Sequence, residues 1–247
     1  MKSKKKPTMP RSRRSYAYLI SCRLGDAMAA HIVMTWAAAY AGRDGGGRKL
    51  AQVRLVQADS HSCNIHDLAG KLKSHHDAIE DGLGTEWDHY ERRKPEMYGI
   101  SCVVDHSRNS AFRKVLRDHR FDPELAQVLN NDRLDDWSPN LLDTLCGRAY
   151  LVNDLASELA ARRVKLEPKD GIPVTDIAEA LEGAQRRSTA LEMDTTVVVE
   201  TDYRDDLALC TALGVFWAHY RPPASQNWLQ FEQEATGGLV PYCGAVV

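Results

Sequence analysis

Tyr98-Gly-Ile-Ser-Cys-Val-Val-Asp105 is a short, continuously apolar run that ends in a carboxylate, and Thr195-Thr-Val-Val-Val-Glu-Thr-Asp202 repeats the pattern. A run of this length without polar alternation suits a strand covered on both faces, as in a parallel sheet between layers of helices. Ligands of such sheets bind outside the carboxyl ends of the strands. Both acids are therefore expected at the edge where chemistry is usually located.

Working outward, strands are expected near 16–21, 51–58, 98–104, 196–200 and 215–218. Helices are expected over 27–41, from Asn64 to about 79, and over 110–119, 124–129, 138–163, 176–191, 205–213 and 227–235. Alanine content and the spacing of Met28, Ile32, Trp36 and Ala39 argue for the first helix. Asn64 and Thr175 are N-cap candidates, and Pro123 and Pro139 stand where a first helical residue would. Gly214 would start the strand at 215, and 238–247 would add an edge strand. Alternation of strands and helices predicts an α/β fold: three layers, a mostly parallel sheet with helices on both faces, Rossmann-like or PIN-like. Residues 1–15 read as a basic flexible tail. Residues 16–95 read as a βαβα part of the sheet or a small subdomain, with 81–95 as a surface excursion. Residues 96–247 read as the domain carrying the acidic site.

The chain has 247 residues, 43% hydrophobic and 27% charged, a composition that excludes fibrous and wholly disordered classes. A net charge of −2 excludes a polyanion binder by bulk charge alone. The charge is uneven, however: Lys2, Lys4, Lys5, Lys6, Arg11, Arg13 and Arg14 occur before any acid. Such an arm can reach the phosphates of RNA or another nucleic acid, or it can be a solvated, solubilising tail. No stretch approaches the ~20 apolar residues that span a bilayer. Six cysteines without a C-x-x-C pair read as free thiols in a reducing compartment, so the expected location is cytoplasmic.

Asp26, Asp59, Asp105 and Asp202 each follow a predicted strand within five residues, and Asp205 and Asp206 reinforce the last. Carboxylates grouped at one sheet edge repel each other unless a cation offsets them. Mg²⁺ or Mn²⁺, which prefer oxygen ligands, would do so and could activate water for phosphodiester cleavage. Each acid alone is better explained as a helix cap, and Asp105 with Asp202 is the pair expected to be functional.

Ser101-Cys-Val-Val-Asp105-His-Ser-Arg-Asn109, Leu151-Val-Asn-Asp-Leu-Ala-Ser-Glu158-Leu159, Ile172-Pro-Val-Thr-Asp176-Ile-Ala-Glu179 and Val197-Val-Val-Glu-Thr-Asp202 with Asp205-Asp206 follow one another in the order of a known pattern. Over 98–220 the chain resembles the PIN/NYN-like metal-dependent nucleases. The resemblance implies a divalent-metal-dependent ribonuclease. Asp105, Glu158, Asp176 and Asp202 would be catalytic, and Asp105, Asp202, Asp205 and Asp206 would hold Mg²⁺ or Mn²⁺. Lys4, Lys5, Lys6, Arg11, Arg13 and Arg14 would add affinity for RNA.

Two other readings stand beside it. Leu24-Gly25-Asp26 before an alanine-rich helix resembles the first βα turn of fucosyltransferase-like sugar-nucleotide enzymes, with His106-Ser-Arg108 as their H-x-R. Alternatively, the chain is a catalytically inactive, nucleic-acid-associated assembly subunit on a nuclease-like fold. Asp59, His61, Cys63, His66, His75 and His76 form a further group that could supply metal ligands, or that is structural.

Overall fold

The computed structural model describes residues 15–25, 30–43, 49–90, 98–129, 144–193 and 203–220. In chain order the elements are β1 (Ser15–Arg23), β2 (His31–Arg43), β3 (Lys49–His61), α1 (Ile65–Tyr90), β4 (Tyr98–Asp105), α2 (Phe112–Asp118), β5 (Glu124–Leu129), β6 (Thr144–Gly147), α3 (Arg148–Ala160), β7 (Val164–Leu166), α4 (Val174–Met193) and α5 (Tyr203–Tyr220). The seven strands form one sheet of order β6-β5-β4-β1-β2-β3-β7. β2 alone runs against its neighbours, and every other adjacent pair is parallel. Helices flank the sheet, as the α/β reading expects. β1 pairs with β4 from Tyr16↔Tyr98 to Arg23↔Asp105, so the strands on either side of 81–95 belong to the same sheet.

The two faces follow from strand parity. Ala17, Leu19, Ile32, Met34, Trp36 and Val103 pack in one core with α3, α4 and α5. Ile20, Cys22, Val33, Cys102 and Val104 pack in a second core with α1 and α2. Residues 102–104 are thus buried alternately on both faces, which is why the run at 98–105 shows no polar alternation. In β3 the parity is reset: Thr35 pairs with Gln57 but Trp36 with Leu55, leaving Val56 as an extra residue. This bulge turns Gln57, Asp59 and His61 toward the α1 face.

Several predicted elements differ. The alanine-rich stretch is the strand β2, not a helix. A spacing of four places Ile32 and Trp36 on one side of a helix, but it does so in a strand as well. Pairing with both β1 and β3 overrides alanine's helix preference. Residues 124–129 form β5, with Ala126 and Val128 buried alternately. The predicted helix over 138–163 divides: β6 occupies 144–147 and α3 begins at Arg148. The separate helix and strand expected at 205–218 are one helix, α5. Every described side chain from Asp205 to His219 is buried, so its sequence lacks the polar face that marks a surface helix. Gly214 lies inside it, where a Cβ would come within 2.8 Å of Ser21 Oγ and collide with the Trp36 ring. It permits close packing of helix on sheet and starts no strand. α1 continues through Tyr90, where a surface excursion was expected, and its start matches expectation: Asn64 Oδ1 accepts the Asp67 N–H at 2.9 Å. The strand near 196–200 and the elements after 220 lie outside the described residues.

Candidate functional site

β1 and β4 end side by side, and parity aims both terminal side chains, Arg23 and Asp105, at the α5 face. The first turn of α5 brings Asp205 and Asp206 to the same edge. The structure thus joins Asp105 to Asp206, but through a guanidinium. Arg23 donates from Nη1 to Asp105 Oδ2 and from Nε to Asp206 Oδ1 at 2.7 Å. Arg108, from the loop after β4, donates to the other oxygen of Asp206 at 2.6 Å. Asp105 Oδ1 accepts the backbone N–H groups of Ser107 (3.0 Å) and Val128 (3.3 Å). Asp205 is held from both terminal nitrogens of Arg148, one at 2.6 Å.

These are buried ion pairs. Arg23 is 4% exposed, Asp105 1% and Asp206 2%, so each charge depends on its partners rather than on water. Burial works against the Arg23 charge, but Asp105 and Asp206 outweigh it and raise the guanidinium pKa above its ordinary value. Arg23, Arg108, Asp105 and Asp206 sum to no net charge. All four carboxylate oxygens of Asp105 and Asp206 have N–H donors. Mg²⁺ and Mn²⁺ need those oxygens. Arg23 bridges the two acids and supplies positive charge between them.

The other predicted residues are dispersed. Glu158 is fully buried in α3 and accepts from Arg163 Nε at 2.6 Å and Nη2 at 2.8 Å. Its Oε2 also lies 3.3 Å from Nε2 of His219, near the far end of α5. Asp206 and His219 are 13 residues apart on that helix, about 20 Å at its rise per residue. Glu158 is therefore not part of the Asp105 edge. Asp176 is exposed in the first turn of α4 and accepts from Thr175 Oγ1 at 3.3 Å. Glu179 pairs with Arg204 at 3.3 Å. Asp202, Lys4, Lys5, Lys6, Arg11, Arg13 and Arg14 lie outside the described residues.

The sugar-nucleotide reading loses its structural premise. Gly25 leads into the antiparallel strand β2 rather than a helix, and its N–H donates to His31 Nδ1 at 3.1 Å. The alanine-rich stretch that would have offered a helix N-terminus to a phosphate is the strand β2 from His31 on. Arg23 and Arg148 were missed because they lie on separate elements, and Arg108 was read only as part of the H-x-R of the sugar-nucleotide alternative. One signal was available: Arg23 is a cation standing where the predicted strands at 51–58 and 98–104 have an acid.

Among the described residues, the His, Cys, Asp and Glu side chains whose ligand atoms already lie within 4.8 Å of one another are His76, Asp77 and Glu80. They stand on α1, and Lys73 Nζ already holds Asp77 at 2.5 Å. No helix among the described residues is long and apolar enough to cross a membrane. No protein-family model and no curated protein sequence matches the chain.

Proposed function

We propose that this chain is a nucleic-acid-associated protein built on a nuclease-like α/β scaffold, and that its carboxylate edge serves structure rather than metal-dependent hydrolysis. One observation carries this reading: Arg23 fills the space between Asp105 and Asp206 where a catalytic cation would have to sit. A buried guanidinium supplies the positive charge that the clustered acids require, without an open coordination position for water. Affinity for RNA would come from the basic arm, Lys4, Lys5, Lys6, Arg11, Arg13 and Arg14, through release of condensed counterions.

The test uses the full chain and single-stranded RNA. Binding should be salt-dependent, and deleting residues 1–14 should weaken it and flatten its dependence on salt. No cleavage should appear with Mg²⁺ or Mn²⁺. Unchanged binding after the deletion would remove the arm from the account.

A metal-dependent nuclease remains a second reading, favoured by the convergence of Asp105 and Asp206 at the carboxyl edge of parallel strands. It requires Arg23 to leave its two partners. Cleavage that depends on Mn²⁺, stops with chelator and disappears in an identically purified Asp105→Asn variant would establish it over the first.

A further inference from the structure

On the opposite face of the sheet, the bulge in β3 sets Gln57, Asp59 and His61 on the side covered by α1. Facing them, α1 presents Leu68, Lys71, Leu72 and His75, a stripe at the i, i+3, i+4, i+7 spacing of one helix face. Between strand and helix is a cavity of about 220 Å³ lined by these residues and Val33. Its floor is apolar, and its polar wall combines two imidazoles with a carboxylate. Of the histidines grouped in the sequence, the structure selects His61 and His75. His66 points elsewhere, with its ring 6.3 Å from that of His119, and His31 is occupied by Gly25 N–H and the Cys63 carbonyl.

We propose that Asp59, His61 and His75 form a binding site for a transition-metal ion of the Zn²⁺ type. Two imidazoles and one carboxylate make a borderline-soft N₂O donor set, which Zn²⁺ takes with water completing four-coordination. Two of the three ligands have a hydrogen-bond partner that could serve as an outer shell. Thr35 Oγ1 lies 2.8 Å from His75 Nε2, so a proton on that nitrogen leaves the Nδ1 lone pair for a metal. Gln57 Nε2 donates to Asp59 Oδ2 at 2.6 Å, orienting the carboxylate.

Metal ligation needs neutral imidazole. Burial lowers the pKa of both His61 and His75, with Lys71 adding to the effect at His61 and His76 at His75, while Asp59 pulls both the other way. The opposing charge at the cavity is Lys71, which is exposed and can turn its ammonium to water. The ligand atoms of the three do not all lie within 4.8 Å of one another, so metal binding requires these side chains to turn toward the ion, and Thr35 and Gln57 to move with them. This site is independent of the Asp105 edge and of the function proposed for it.

The experiment is a titration of the chelator-treated full chain with Zn²⁺, and with Co²⁺ for its visible absorption, alongside an inorganic phosphate titration. One equivalent should bind with a tetrahedral Co²⁺ spectrum and raise the thermal midpoint. His61→Ala, His75→Ala and Asp59→Asn should each weaken binding on the order of 100-fold, comparable with the upper end of outer-shell losses. His66→Ala and His76→Ala should leave it unchanged. Circular dichroism without metal identifies any variant that has failed to fold. For such a position, histidine ring resonances of the wild-type chain must then show Zn²⁺-induced shifts at His61 and His75. Absence of stoichiometric binding, binding that survives in the His61→Ala/His75→Ala variant, or loss in His76→Ala would overturn the proposal. Stabilisation by phosphate alone would also overturn it and make the cavity an anion site centred on Lys71.

Discussion

Arg23 is the residue on which the acidic edge depends. Removing one member of a buried charge network leaves its partners uncompensated, which typically costs about 3–5 kcal/mol. Arg23→Ala should destabilise the fold by about that amount in urea titrations. A double-mutant cycle with Asp206→Ala should show strong coupling, because the 2.7 Å contact is lost only once. Simple additivity of the two substitutions would mean that the Arg23–Asp206 contact contributes nothing to stability beyond packing.

The histidines predict a pH dependence. Burial lowers the pKa of His61, His75 and His106 from the ordinary 6.5, with Lys71 adding at His61 and Arg113 at His106. The unfolded chain therefore takes up protons below 6.5 that the folded chain does not. Stability should be present above that value and fall as the pH drops through the lowered folded-state values. Urea midpoints at about pH 7.5 and about pH 5.5 should show the loss, and His75→Gln should reduce it. A midpoint independent of pH would contradict the lowered pKa of these rings.

At the scale of elements, α5 and its glycine carry the clearest prediction. Gly214→Ala adds helix propensity worth about 1 kcal/mol. It also drives a methyl group into Trp36 and to within 2.8 Å of Ser21 Oγ, and overpacking of this kind typically costs about 1–3 kcal/mol. The Trp36 Nε1–Ser21 Oγ hydrogen bond of 3.0 Å must shift as well. The variant should melt below the wild type. An unchanged or higher melting temperature would mean that α5 can move away from the sheet at little cost.

Across the whole molecule, both cores contain thiols. Burial pushes Cys22 and Cys102 well up, and Cys210 to about 12. Cys146 is also buried. Because the thiolate is the reactive form, these four should resist alkylation at neutral pH in the native chain and react in urea. Mass spectrometry of labelled peptides reads the result site by site. Rapid native labelling of Cys22 or Cys210, which lie on opposite sides of β1, would show that the sheet is opening.

The layered α/β class was legible because burial on both faces of a parallel strand removes polar residues. The run ending in Asp105 records that directly. The start of α1 was legible from Asn64, since a cap is a local hydrogen bond. Local sequence does not separate a helix from a strand where neighbours bury every side. This is why β2 resembled a helix and α5 resembled a helix followed by a strand. The acidic edge was half legible. Asp105 and Asp206 were marked by their positions at element ends, but Arg23 lies 82 residues from Asp105, Arg108 98 residues from Asp206 and Arg148 57 residues from Asp205. The cavity beside α1 depended on one inserted residue, Val56, that resets the facing of Asp59 and His61. The sequence by itself determined which segments are buried and where carboxylates and imidazoles occur. Tertiary structure decided which of them meet, because strand order and helix docking join positions that no local periodicity relates.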